Sequence, residues 1–332
     1  MKSNVPLIRL SAINPFLVAL QRRGVDAATL LKDLELPTDI PASHDLFVVS
    51  ESIYTLVERS AELAGDPYLG FTIGSSLELR DWDPIAEAAA EANTVGELLT
   101  LFTLHASEHS SATHFYIRTD GDRSTFGFER VKEPPVRPGQ NDAFYMGLMS
   151  RLLRQATQDH WNSTEALFRV AEPELIPTSA EAYRIARGDR SGVRITFPTT
   201  WLFERFEKTV FHASVEPVGT GDMPRSLVGS VRSALQPHLH DPDLTVEKAA
   251  TICGYNRRRL SRELREQGTT ISREIARLRS ERASKGLADT NRRVAEIAQT
   301  VGFTDPTVFS RAFKNWTGQS PQEYRRKHKS PK

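Results

Sequence analysis

Two stretches near the C-terminus repeat each other, and this limits the possible folds more than any other feature. Val246-Glu247-Lys248-Ala249-Ala250 lies over Val294-Ala295-Glu296-Ile297-Ala298 at an offset of 48 residues. At the same offset Cys253-Gly254-Tyr255 lies over Val301-Gly302-Phe303. One residue later in the second copy, Leu260-Ser261-Arg262-Glu263-Leu264-Arg265 lies over Phe309-Ser310-Arg311-Ala312-Phe313-Lys314. Each copy reads as a short helix, a glycine with an aromatic neighbour, and a second helix rich in polar and basic residues. The chain therefore builds the same supersecondary unit twice.

That order is what a helix-turn-helix requires. Small residues (Ala249, Ala250, Ala298) let the first helix approach the second, and Gly254 and Gly302 can take the positive φ of a sharp turn. Asn256 and Thr304 are expected to cap the second helices. Leu260 with Leu264, and Phe309 with Phe313, fall at i, i+4 and should face the core. The outward positions are then Arg257, Arg258, Ser261, Arg262 and Arg265 in one copy. In the other they are Asp305, Thr307, Ser310, Arg311 and Lys314. Arginine can donate two hydrogen bonds to guanine, and hydroxyls suit bases or phosphates. Between the copies Ser272–Leu287 carries an apolar stripe of Ile275, Leu278 and Ala283. As a helix it would span about 24 Å, a strut able to hold two helices in successive major grooves about 34 Å apart.

The charge supports a polyanionic partner. From Met223 onward 22 of the 43 Lys and Arg stand against 11 of the 42 Asp and Glu, a balance of +11. The residues before it hold 21 against 31, a balance of −10. A basic segment behind an acidic one suits nucleic acid, where phosphate neutralisation drives binding. With 39% hydrophobic and 26% charged residues the chain reads as globular, long enough for two domains. Arg9 and Asn14 interrupt the stretch where a signal peptide needs apolar continuity, and no apolar run is long enough for a membrane span. The single cysteine, Cys253, excludes an internal disulfide and any multi-cysteine metal site. A cytoplasmic protein is expected.

Ser214–Arg225, with two prolines and two glycines, reads as a linker, so the expected domains are 1–213, then 214–225, then 226–332. The front domain shows an α+β pattern. Helical spacing runs through 15–35, 46–64 and 84–111, and a hairpin is expected from His114–Thr119 and Ser124–Arg130 around Asp120-Gly121-Asp122. A helix at about 141–158, a strand Ala166–Val170, a short helix near Ala180–Arg187, a strand Val193–Phe197 and a short helix at Trp201–Glu207 should complete it. Behind the linker only helices are expected.

These residues resemble a known family. Residues 244–326 are similar to the tandem helix-turn-helix domain of the AraC/XylS transcription regulators, most specifically VAEIAQTVGFTDPTVFSRAFKNWTGQSPQEYRR from Val294 to Arg326. Arg277-Leu278-Arg279 and Ala283 match the connecting helix of that domain. The resemblance carries base-reading positions over to Arg258, Ser261 and Arg262 in the first unit, and to Thr307, Ser310 and Arg311 in the second. More loosely, residues 15–210 resemble the arabinose-binding-type effector domain of one branch of that family, best at Leu63–Gly74 (LAGDPYLGFTIG). The resemblance implies an α+β effector and dimerisation domain before an all-α DNA-binding domain whose two helix-turn-helix units share a connecting helix. The implied partners are double-stranded promoter or operator DNA, a small effector of unassigned identity, a second copy of the chain and RNA polymerase. Two departures stand out. Arg293 occupies the place of a capping Ser or Thr, so Asn291 caps one turn earlier or the helix end frays. The run Arg257-Arg258-Arg259 is unusually basic, which favours phosphate contact and a steep salt dependence.

Other constellations are weaker. His105, His109 and His114 invite a metal reading because i, i+4 places two imidazoles on one helical face, but no carboxylate pattern accompanies them and a pocket or core role is expected. Cys253 between apolar helices is expected to be a buried, inert thiol rather than a redox sensor. Asp81-Trp82-Asp83-Pro84 should open a helix. The aromatics Phe102, Phe115, Phe126, Phe128, Phe144 and Tyr145 are expected in the core. No phosphate-binding loop, dinucleotide fingerprint or nucleophile elbow occurs, so no catalytic residue, cofactor or metal is assigned. The site residues are Arg257, Arg258, Ser261, Arg262, Thr304, Thr307, Ser310, Arg311 and Lys314. Two other readings stay open: a metabolite-modifying enzyme domain with a DNA-binding tail, and an architectural DNA-binding protein with no effector.

Overall fold

The computed structural model describes residues 5–39, 45–178, 183–206 and 222–328. The described residues divide into two compact units, one within Pro6–Met223 and one of residues 224–328 together with Val5. Most of the expected linker, Ser214–Arg225, lies outside the described residues.

The N-terminal unit is α+β. Its main sheet holds β3 (Thr113–Asp120), β4 (Arg123–Arg130), β7 (Arg194–Pro198), β5 (Leu167–Val170) and β6 (Arg184–Arg187), in that spatial order. All neighbours are antiparallel except β5 and β6. The hairpin β3–β4 turns at Gly121 as expected, with Phe115 opposite Phe128 and Ile117 opposite Phe126. A two-stranded ribbon, β1 (Leu7–Arg9) with β2 (Phe47–Val49), was not foreseen: three residues are too few for an alternation to show.

Several expected helices are shorter or divided. The 15–35 segment is α1 (Asn14–Arg22) and α2 (Ala28–Asp33), separated at Gly24 with φ +72°. The 84–111 segment is α5 (Asp83–Glu91) and α6 (Val95–His109), because Thr94 turns extended and its hydroxyl accepts the Glu97 N–H at 3.3 Å. The 46–64 helix begins only at Ser50, as α3 (Ser50–Ala64). One expectation is wrong. The helix near Ala180–Arg187 is instead β6 over Arg184–Arg187, since pairing with β5 supplies hydrogen bonds that a four-residue helix would lack; Ala180, Glu181 and Ala182 lie outside the described residues. The closing short helix is a 3-10 turn, Thr199–Phe203.

The LGFTIG segment forms α4 (Leu69–Ser76), which crosses α7 (Gly139–Thr157) at very close range. A Cβ on Gly70 would lie 2.1 Å from the Gln140 carbonyl oxygen, and one on Gly74 would lie 2.0 Å from that of Phe144. Glycines at i, i+4 let the two backbones touch, and that contact seats α7 in the core. Phe102, Phe126, Phe128, Phe168 and Phe197 are fully buried around it.

The C-terminal unit is helical throughout its described residues: α8 (Leu227–Leu235), α9 (Val246–Ile252), α10 (Arg257–Glu266), α11 (Ile271–Asp289), α12 (Val294–Thr300), α13 (Pro306–Thr317) and α14 (Pro321–His328). Helices α9–α10 and α12–α13 are the two repeats, and α11 joins them at 19 residues, about 28 Å. Leu260, Leu264, Phe309 and Phe313 are buried as expected. Gly254 and Gly302 take φ of +68° and +77°. Asn256 caps α10, its Oδ1 accepting the Arg258 N–H at 2.9 Å. Thr304 does not cap α13. The cap is Asp305, whose Oδ1 accepts the Thr307 N–H at 2.7 Å, because Pro306 takes the first helical position and pushes the start one residue on. Helix α12 begins at Val294, with no earlier start at Asn291. Arg293, which has no acceptor, is held from the other side: Glu296 accepts its backbone N–H at 3.0 Å and its Nε at 2.7 Å.

Candidate nucleic-acid interface and ligand cavity

The outward faces of α10 and α13 carry the expected site residues. Arg257, Arg258 and Arg262 are exposed on α10, with Ser261 half-buried beside them. Their surroundings differ. Arg257 is ion-paired with Glu247, and Arg262 lies 4.0 Å from Glu266. Arg259, also exposed, is tied to Glu263 at 2.8 Å and lies over the Tyr255 ring. Arg258 has no ion pair among the described residues, which leaves its guanidinium available to a phosphate or a base edge.

Thr307, Arg311 and Lys314 are exposed on α13, and Thr304 is exposed in the turn before it. Ser310 is half-buried and its hydroxyl donates to the Pro306 carbonyl at 2.8 Å, so it is turned back on its own helix. Arg311 and Lys314 have no ion pair among the described residues. The Asp305 carboxyl is held below the usual carboxylate range, chiefly by the Thr307 N–H, and its charge suits the helix N-terminus. Two exposed residues of this face escaped the sequence reading: Val308, half accessible, and Asn315. Val308 was hidden because apolar residues on an amphipathic helix are assigned inward.

Helix α11 ties each unit to its neighbours. Arg279 donates to the Asp241 carbonyl at 2.8 Å and lies over the Phe303 ring, with burial pushing its pKa down. Buried Glu274 accepts from Arg232 Nε at 2.5 Å and from the Thr269 hydroxyl. Burial alone would raise its pKa, but those two hydrogen bonds prevail and hold it low. Cys253 is buried, its thiol pushed up to about 12, and so stays protonated at neutral pH.

The N-terminal unit holds a cavity of about 580 Å³, within the range of small-molecule sites. Its walls come from β1, the turn Leu10–Ile13, α1, α3, α4, the start of α5, α6, β3 and α7. Tyr54, Trp82, Phe102, Phe115 and Tyr145 form the aromatic part, and Ala12, Ala106 and Ile73 add apolar surface. The expectation that the front aromatics are core is therefore corrected in part. Phe102, Phe126, Phe128 and Phe144 are core, Phe102 also bordering the cavity, whereas Phe115 and Tyr145 are packed against the core and face the cavity. No sequence signal marked these residues, since Phe102, Phe115 and Tyr145 converge from three separate elements, α6, β3 and α7.

Contrary to expectation, carboxylates do accompany the histidines: Glu87 and Glu91 of α5 face His105 and His109. His105 Nδ1 lies 3.3 Å and His109 Nε2 3.9 Å from Glu87 Oε2, whose pKa is lowered chiefly by its hydrogen bond to His109. His109 borders the cavity, and His114 points out from β3 to solvent. Among the described residues no group of three His, Cys, Asp or Glu is placed to hold a metal ion.

A model of the helix-turn-helix domain matches residues 239–327, and one of the arabinose-binding N-terminal domain of AraC transcription regulators matches residues 24–202. The transcriptional activator NphR of a Rhodococcus species is 33% identical over 98 residues, 30% of this chain and 29% of its own length, so the match spans under a third of that relative. The HTH-type transcriptional regulator VirS of Mycobacterium tuberculosis is 24% identical over 340 aligned residues, 96% of each chain. Among solved structures, the transcriptional regulator CdpR from Pseudomonas aeruginosa covers 95% of this chain and 98% of its own, with a TM-score of 0.41 and 17% identity.

Proposed function

The chain belongs to the AraC transcription regulators, and from that membership we propose how its two units share the work. It is a DNA-binding regulator with an N-terminal effector-binding domain. Helices α10 and α13 enter adjacent major grooves of one duplex, joined by α11. Arg258 and Arg311 make the leading contacts, with Arg257, Ser261, Arg262, Thr304, Thr307, Ser310 and Lys314 around them. Residues 1–213 sense the effector and bring two copies together, 214–225 link, and 226–332 bind DNA. A dimer then presents four helix-turn-helix units to an extended, directly repeated site. The effector changes DNA binding by having different affinity for the two arrangements of the protein.

One observation carries this reading most: Arg258 and Arg311, on the corresponding faces of two repeated helix-turn-helix units, are exposed and without an ion pair among the described residues. An arginine that bonds a guanine edge contributes about 1–3 kcal/mol of discrimination. The test is a gel shift of the full chain on the DNA upstream of its own and neighbouring genes, against excess nonspecific competitor. A discrete complex should survive competitor and weaken about 10–100-fold in Arg311→Ala, with unchanged folding by circular dichroism. Equal affinity of Arg311→Ala at physiological salt would remove that residue's role, and no binding at low salt would overturn the DNA reading.

A further inference from the structure

We propose that the cavity walled by Trp82, Phe102, Phe115 and Tyr145 is the effector site of the N-terminal unit, and that it takes an aromatic carboxylate. The proposal rests on reading that unit as the sensor and adds the chemical class it senses.

The body of the ligand follows from the rings. Trp82 and Phe102 lie 6.0 Å apart by ring centroid, Trp82 and Tyr145 5.9 Å, Phe102 and Phe115 4.9 Å, and Phe115 and Tyr145 5.9 Å. Four tilted rings bordering one space offer edges and faces to a further ring. A polyhydroxylated ligand would lose hydration against them without gaining partners for its hydroxyls.

The polar end follows from the donors. The Asn141 carbonyl oxygen already accepts from Arg130 at 3.2 Å, so the polar group this residue has left is its NH₂. Tyr145 adds a hydroxyl kept protonated by burial. Three arginines line the cavity against one carboxylate, Glu78: Arg9, buried, is paired with Asp45 at 3.0 Å, Arg23 is paired with Asp66 at 2.9 Å, and Arg22, exposed in the last turn of α1, has no ion pair among the described residues. Glu78 is engaged by Arg151 at 3.0 Å. An amine would meet the Arg22 guanidinium at the rim and find the carboxylate occupied. An anion bearing acceptor oxygens meets donors and positive charge.

The test is titration of the full chain with 2-naphthoate, 2-naphthylmethylamine and L-arabinose, followed by isothermal calorimetry and by tryptophan fluorescence. Saturable one-to-one binding of naphthoate is expected, with neither the amine nor the sugar binding at millimolar concentration. Tyr145→Phe keeps the ring and removes the hydroxyl, and should weaken naphthoate about tenfold, the loss of one hydrogen bond to a charged group. Ala12→Phe fills the cavity from a half-buried wall position and should abolish binding while circular dichroism stays unchanged. If Ala12→Phe fails to fold, Tyr145→Phe decides alone. Failure of naphthoate to bind, better binding of the amine or the sugar, or full binding in the folded variants overturns the proposal. Because the titration contains no DNA, its failure leaves the DNA reading untouched, and failure of the gel shift leaves the titration interpretable.

Discussion

Gly302 offers a sharp test of how the second repeat is held. Its φ of +77° costs any other residue about 1–2 kcal/mol. A Cβ there would also lie 2.7 Å from the Asp241 carbonyl oxygen, 2.9 Å from that of Leu239 and 2.5 Å from Arg279 Nη2. The arginine end can swing aside, but it would give up its 2.8 Å hydrogen bond to Asp241, about 0.5–1.5 kcal/mol. The two carbonyls are backbone and can yield only by displacing the segment before α9, at a cost of about 1–3 kcal/mol. Gly302→Ala should therefore destabilise the C-terminal unit by about 3–6 kcal/mol. Gly268 is the control. It has the same φ of +77° with nothing within 4 Å of its Cβ position, so Gly268→Ala should cost only the conformational part, about 1–2 kcal/mol. Native-state amide exchange on the full chain, read at Ala298, Phe309 and Phe313, reports the opening free energy of this unit without interference from the other. Equal loss of protection in the two variants would refute the crowding argument and leave φ alone as the reason for glycine.

Two further outcomes test the local chemistry. Asp305→Ala should lower the melting temperature of the C-terminal unit by a few degrees, while Thr304→Ala leaves it unchanged; the reverse ranking would return the cap to Thr304. Glu58 accepts the Gln140 N–H at 2.9 Å and the Asn141 N–H at 3.4 Å, yet burial outweighs these bonds and pushes it up to about 8. The folded state then binds a proton that the unfolded state has released between about pH 4.5 and 8, so stability falls as pH rises through that window. The upper bound is about 5 kcal/mol, reduced by residual solvation. Glu58→Gln should flatten the profile of melting temperature against pH, and an unchanged slope would show that Glu58 does not titrate there.

Much of the C-terminal unit was legible because its information is local and doubled. The offset of 48 residues, the two turn glycines and the i, i+4 apolar pairs each specify something within one or two helical turns, and Leu260, Leu264, Phe309 and Phe313 are buried where that spacing puts them. The cap at Asp305 was misread for an equally local reason, the proline beside it. The nine candidate site residues are chosen by type and position, but whether an arginine is free or paired depends on neighbours such as Glu247, ten residues from Arg257 and on another helix.

In the N-terminal unit the sequence alone determined the α+β class, the β3–β4 hairpin and the aromatic inventory. Tertiary structure decided the rest. Arg184–Arg187 is a strand because β5 pairs with it, and a four-residue segment carries too little propensity to resist its neighbour. Gly70 and Gly74 are needed because α7 runs against them with Gln140 and Phe144, each seventy residues further along the chain. Phe102, Phe115 and Tyr145 border a cavity rather than only filling a core, a distinction no single-chain pattern records. Both kinds of position call for the same apolar side chains, and what separates them is the space left when the elements around it come together.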